Sequence, residues 1–229
     1  MPSSLRRARV AGVDGCRDGW VIAERESSRS VAVRVVERLA EAITSADVVG
    51  IDMPIGLPDE WHRAADIAAR RYVSPRGSTV FPTPPRTLLA CTTYEQVNTV
   101  ARAQFGKGVP RQTWHLFPKI TEVDTLARRL LVEPSCTRLV EIHPECSFRA
   151  LTGRVLASKH TAEGIFERTE ALRAVVGDAV DTRPRGARPD DVLDALAVLW
   201  SAERFSRGEH VELGDGCCDA LGLPMRIVY

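Results

Sequence analysis

Four aspartates offer this sequence its chemistry: Asp14, Asp52, Asp191 and Asp194. Asp14 ends the apolar run Val10-Ala11-Gly12-Val13, with Gly15 behind it and Gly19 opening the next run. Asp52 repeats the arrangement after Val48-Val49-Gly50-Ile51, just before Met53-Pro54. A carboxylate at the exit of a buried strand is costly to desolvate unless it has a partner or a metal. Asp191 and Asp194 are three apart and share one helix face. Carboxylates gathered in one place repel each other unless divalent cations hold them, and hard oxygen ligands suit Mg²⁺ or Mn²⁺. Two such ions, about 3.5–4 Å apart, would clamp the attacking and leaving oxygens of a phosphodiester displacement. Glu141 and Glu145 are second candidates, because their strand would neighbour that of Asp52.

Plainer readings exist for some of these acids. Asp14-Gly15 also suits a hairpin turn. Asp190 is a good N-cap after Pro189, and Asp191 favours the helix N-terminal dipole. Asp194 escapes that explanation, since it sits among Leu193, Ala195, Leu196 and Val198. It is therefore preferred over Asp191.

The elements that must position these residues follow from pattern. Residues 8–14, 19–25 and 30–37 read as Val/Ile-rich strands with short antiparallel connections. Residues 38–44 read as a short helix. Residues 46–54 form a continuous apolar strand, parallel to its neighbour, that Pro54 ends. Residues 61–73, 94–105 and 114–131 read as helices, the last broken or kinked at Pro118. Residues 74–86 hold four prolines and a glycine and read as an ordered loop. A fifth strand spans 137–145. Helices follow at 145–152 and 161–176, then a strongly apolar helix carries Asp191 and Asp194. The tail after Gly208 reads as loop or a small hairpin.

Charge is unevenly placed. Between Trp61 and Leu130 there are eleven Lys/Arg and four Asp/Glu, while the whole chain has net charge +1. A basic segment inside an acidic frame suits a nucleic-acid clamp over a carboxylate site, although a solvated helical face would look the same. Arg76, Arg86, Arg111 and Lys119 are the candidates for phosphate contact. The 229 residues suit one domain, or one domain with an insertion. No apolar run is long enough for a transmembrane helix, and the basic N-terminus lacks the apolar region of a secretory signal. The six cysteines and five histidines show no zinc spacing. Reduced thiols in the cytoplasm are the expectation.

Gly12-Val13-Asp14-Gly15-Cys16 with Gly19-Trp20-Val21, and Gly50-Ile51-Asp52-Met53-Pro54-Ile55-Gly56-Leu57, carry a resemblance to the DUF429 family of predicted ribonuclease H-like nucleases. It continues through Arg63-Ala64-Ala65-Asp66 with Ala69-Arg70, and through Ser78-Thr79-Val80-Phe81. Pro118-Lys119-Ile120 with Glu122-Val123-Asp124, Glu141-Ile142-His143-Pro144-Glu145 with Phe148, and Asp190-Asp191-Val192-Leu193-Asp194-Ala195 complete it. These motifs run in order over roughly residues 10–205, with Asp18 departing from an expected glycine.

The resemblance implies an α/β, ribonuclease H-like domain over residues 1–229. Its five-stranded mixed sheet would have the order 3-2-1-4-5, flanked by helices, with a helical insertion over about 55–136. It implies a Mg²⁺- or Mn²⁺-dependent hydrolase, with two ions, acting on nucleic acid. Catalysis would fall to Asp14, Asp52, Asp191, Asp194 and Glu141, with the four aspartates as metal ligands. Two rivals remain. One is a nucleotide-binding phosphotransferase or ATPase of the sugar-kinase and actin class, which needs a second such domain. The other is a non-catalytic nucleic-acid-binding module.

Overall fold

The computed structural model describes residues 8–26, 30–42, 46–133 and 137–229. It divides into two compact units, one of residues 1–52, 135–210 and 229, the other of 53–134 and 211–228.

The first unit is built on a five-stranded sheet. Strands β1 (Val10–Cys16), β2 (Gly19–Arg25), β3 (Val31–Val36), β4 (Val48–Ile51) and β5 (Arg138–Glu141) lie in the order β3-β2-β1-β4-β5. β1–β2 and β2–β3 are antiparallel; β1–β4 and β4–β5 are parallel. This is the mixed sheet of a ribonuclease H-like fold, in the order that the family resemblance implies. The central strands are buried on both faces: Ala11, Val13, Val48, Val49 and Ile51 are wholly inaccessible. Such strands read as continuous apolar runs, not as alternation. The short helix predicted after β3 is one 3₁₀ turn, Leu39–Ala42, and residues 43–45 lie outside the described residues.

Helices α4 (Pro144–Thr152), α5 (Ala162–Val176) and α6 (Pro189–Ser206) complete this unit. Pro144, which cannot extend the ladder, opens α4 instead, a position that tolerates its missing N–H. α6 packs across β1, β4 and β2. Two glycines allow a close approach. A Cβ on Gly12 would lie 2.2 Å from the Leu199 nitrogen and 2.4 Å from the Ala195 oxygen. One on Gly50 would lie 2.5 Å from Ile142 Cδ1. The backbone of α6 therefore rests directly on that of β1.

The second unit holds α1 (Ala64–Tyr72), α2 (Tyr94–Phe105) and α3 (Arg111–Val132), with a two-stranded ribbon of β6 (Glu212–Leu213) and β7 (Ile227–Val228) from the tail. α1 starts three residues later than the pattern suggests. Pro118 does not break the predicted helix; α3 runs through it unbroken. Proline inside a helix costs about 3 kcal/mol. Here the buried stripe of Thr113, Phe117, Ile120, Val123 and Ala127 holds the helix on both sides of it. Burial of each large apolar side chain contributes about 1.5–3 kcal/mol, so Phe117, Ile120 and Val123 together outweigh the proline. Among the described residues no helix is long and apolar enough to cross a membrane.

Candidate active site

Register brings the first two aspartates together. Gly12 pairs with Gly50 and Val13 with Ile51 in the parallel β1–β4 ladder, and the Asp52 N–H donates to the Val13 carbonyl at 3.0 Å. Asp14 and Asp52 thus occupy the next step on neighbouring strands. Alternation puts them on the same face as Gly12 and Gly50, the face that α6 covers. α6 brings Asp194, 3% exposed, to the same place. Asp191 lies one turn earlier, and its Oδ2 accepts from the Arg188 N–H at 2.9 Å. The N-cap of α6 is accordingly Arg188, not Asp190: Pro189 takes the first helical position, and Asp191 reaches back from the third.

The electrostatics are those of an acid cluster around one cation. Lys159, from the loop between α4 and α5, donates to Asp194 Oδ2 at 2.6 Å. Burial pushes the Asp14 carboxyl well above its ordinary pKa; Asp52, Asp194 and Asp191 push it further, against the pull of Lys159. Burial raises Asp52 to about 6, with the His143 ring and Lys159 opposing and Asp194 and Glu145 reinforcing. Asp194 is raised by burial, against its bond to Lys159. For Lys159, burial works against the charge, but Asp194, Asp14 and Asp52 outweigh it and hold the ammonium protonated above its ordinary range.

Around this core the remaining charges are matched. Arg168, fully buried, donates to Glu145 Oε1 at 2.6 Å. His143 caps α4, its Nδ1 accepting from the Glu145 N–H at 3.2 Å. Glu141 pairs with Ile51 in the β4–β5 ladder, so alternation sends it to the opposite face from Asp14 and Asp52. The basic candidates all belong to the second unit. Arg86 is held by Asp124 and Asp219 in a partly buried ion pair with each. Arg111 opens α3 and lies over the Tyr94 ring, 4.4 Å from its centroid. Arg76 is half-buried before a 3₁₀ turn, and Lys119 lies on α3.

The residues that sequence reasoning missed are Lys159 and His143. Lys159 lies in an aperiodic loop, where nothing in the sequence distinguishes it from a surface lysine. His143 carried one signal, its place directly after an apolar strand and before a helix-opening proline.

The donor set suits a hard divalent cation in type and in charge, being all carboxylate and more negative than one ammonium can balance. Its spacing is that of charges around Lys159: among the described residues, no three His, Cys, Asp or Glu side chains stand close enough to hold an ion as they lie.

A family model described as "Protein of unknown function (DUF429)" matches residues 12–216. No curated protein and no solved structure matches the chain. The matched span begins inside β1 and runs past α6 into the tail, taking in Asp14, Asp52, Lys159, Asp191 and Asp194. The chain belongs to the DUF429 family.

Proposed function

We propose that this protein is a divalent-cation-dependent hydrolase of nucleic-acid phosphodiester bonds. The observation that carries the reading is the convergence of Asp14, Asp52 and Asp194 from three elements, the first and last buried and Asp52 half-buried, opposed by one ammonium. The buried structural acids Asp66, Asp124, Asp219 and Glu145 are each engaged directly by a guanidinium instead. Asp14, Asp52 and Asp194 would hold the cation, with Asp191 at the edge of the set. The bound ion would supply a hydroxide-like water and charge neutralisation at the phosphate. The chain's own part is orientation. The β1–β4 register fixes two carboxylates, α6 fixes the third, and Lys159 holds positive charge where the phosphate oxygens would come. Water oxygen bonds to phosphorus, one ester P–O bond breaks, and the leaving oxygen takes up a proton.

The basic excess of residues 61–130 supports a polyanionic substrate. Arg111 stacked on Tyr94 offers the cation and aromatic face that single strands favour. Arg86 is the weakest of the four phosphate candidates, because Asp124 and Asp219 already engage it. The described cysteines (Cys16, Cys91, Cys146, Cys217 and Cys218) are free thiols, which supports the cytoplasm as its compartment.

The test is cleavage of end-labelled single-stranded and duplex oligonucleotides in Mn²⁺ and in chelator, beside ATP turnover. Cleavage should require the cation, and Asp14→Asn and Asp194→Asn should each lower it by at least about 100-fold, the scale of a lost catalytic group. ATP turnover without cleavage would favour the phosphotransferase reading. Oligonucleotide binding with neither activity would favour the non-catalytic module.

A further inference from the structure

We infer that the second unit carries a nucleobase site: a groove between the start of α3 and residues 89–92 that takes one unpaired base, stacked on the Trp114 ring and hydrogen-bonded to the Trp114 carbonyl. A site of this kind rests on the nucleic-acid reading above and makes an unpaired strand its substrate. The groove lies wholly within the second unit.

Shape and lining point to a base. The groove offers about 700 Å³, within the range of about 300–1,000 Å³ usual for small-molecule sites. Trp114, Phe117, Pro118 and Thr121 stand at spacings of three and four along α3 and form one wall. Leu89 and Thr92 belong to the other, and among the described residues no carboxylate lines the groove. The Trp114 and Phe117 rings lie 5.0 Å apart, centroid to centroid, and Tyr94 lies 6.4 Å from Trp114 on the same measure. The Arg111 guanidinium sits over Tyr94 and, among the described residues, pairs with no carboxylate. A row of rings thus runs from a cation to a flat apolar wall. Base faces stack on aromatic rings whatever the sequence, and the phosphate beside the base meets the cation. The eleven basic and four acidic residues between Trp61 and Leu130 attract the same polyanion.

Pro118 points the same way. It is exposed and lines the groove, although a helix interior is an unfavourable place for a proline. Proline has no N–H, so the Trp114 carbonyl, four residues earlier, loses the donor that an α-helix gives it. The buried stripe of α3 holds the helix together but supplies nothing to that oxygen. An acceptor is thereby left on the same residue that supplies the stacking ring. Adenine and cytosine present amino groups at their edges, which such an acceptor suits. The exposed His115 and Thr121 add a ring nitrogen and a hydroxyl at the rim. A purely apolar guest would make no use of an opened helical carbonyl, whereas a base has both an apolar face and a polar edge.

The experiment measures binding of the full chain, in chelator, to a fluorescent single-stranded oligonucleotide and to a strand of equal length and phosphate count whose sugars carry no bases. Wild type should bind the strand with bases about 10-fold tighter. Trp114→Ala should abolish that preference and leave the baseless strand bound as before. Pro118→Ala returns an N–H to the Trp114 carbonyl. It should melt higher than wild type and yet lose most of the preference, an opposition that a merely structural role would not produce. It also replaces Trp114→Ala if that variant does not fold. Equal binding of the two strands by wild type, or a preference that survives either substitution in a folded protein, overturns the inference. So does a dimer, sized in the same solutions, that Trp114→Ala dissociates, since a second copy of the chain would then fill the groove. Chelator keeps the two readings apart: loss of the base preference strikes the groove alone, and failure of Mn²⁺-dependent cleavage strikes the hydrolase reading alone.

Discussion

The two units differ in how they bury charge: the first closes Glu145 with Arg168 and Glu203 with Arg25 but gathers three aspartates around one ammonium. In the second, every buried carboxylate among the described residues has a guanidinium. Asp66 takes Arg63 at 2.6 Å and the Thr83 N–H at 2.8 Å, while Arg63 also donates to the Ile55 carbonyl at 2.8 Å. Asp124 and Asp219 share Arg86, and Asp219 also accepts from the N–H groups of Leu57, Leu221 and Leu223. In the first unit Asp14, Asp52 and Asp194 share one ammonium. The closed networks fix chain segments that have little regular structure of their own. The open one leaves negative charge unbalanced at the end of a sheet. Architecture explains the former, and the latter is what the proposed function is built on.

Breaking a closed network should do the most damage. Arg63→Ala leaves Asp66 buried without its partner and should cost about 3–5 kcal/mol. Chemical denaturation, followed by tryptophan fluorescence, reads it through Trp61, two residues away. A loss below about 1 kcal/mol would erase the contrast between the units.

The open cluster should respond to pH instead. An unfolded aspartate loses its proton near 4, whereas burial holds that of Asp52 to about 6. Between those values the folded state binds more protons than the unfolded one, so this group's contribution to stability falls as pH rises through the window. Metal-free Asp52→Asn should therefore gain on wild type by about 2 kcal/mol between pH 4 and 7. That corresponds to about 4–8 °C in melting temperature. Parallel melting curves across that range would remove Asp52 from the cluster.

The smallest effect sharpens the account of Lys159. Thr161→Ala removes the cap of α5 and one bond to the loop, and should cost about 1 kcal/mol. If the loop holds the ammonium against the carboxylates, the same substitution should strengthen Mn²⁺ binding by loosening that competing cation, whereas Thr93→Ala, an equivalent cap on α2, should leave it unchanged.

What the sequence revealed, and what it hid, follows range of interaction. β1, β4 and β5 are readable because burial on both faces leaves unbroken Val/Ile runs, and Pro54 and Pro144 mark where they stop. Asp14 and Asp52 are readable as a pair because each stands at the same step past such a run. Pro118 misleads because a local rule is outvoted by the buried stripe of α3. Asp190 misleads because two adjacent acids follow a proline, and only the backbone decides which one reaches back. Lys159 and Arg168 are invisible beforehand. Their partners lie 35 and 23 residues away, and no periodicity connects a loop lysine to a helix aspartate.

The seating of α6 on bare backbone has a last consequence. Gly12 removes the cushion of side chains that ordinarily separates a helix from a sheet, while Gly50 makes room for Ile142, Val198 and Ala202. The gap between Asp194 and the strand acids is then set by main chain touching main chain, which cannot stretch as a core of leucines can. Any ion admitted there meets a calliper of fixed opening. Small ions that demand strict geometry, such as Mg²⁺, tolerate such a gap, whereas Ca²⁺ requires more ligands at longer reach. Discrimination by ionic radius would then reside in one missing methyl group, at Gly12, some distance from the carboxylates themselves.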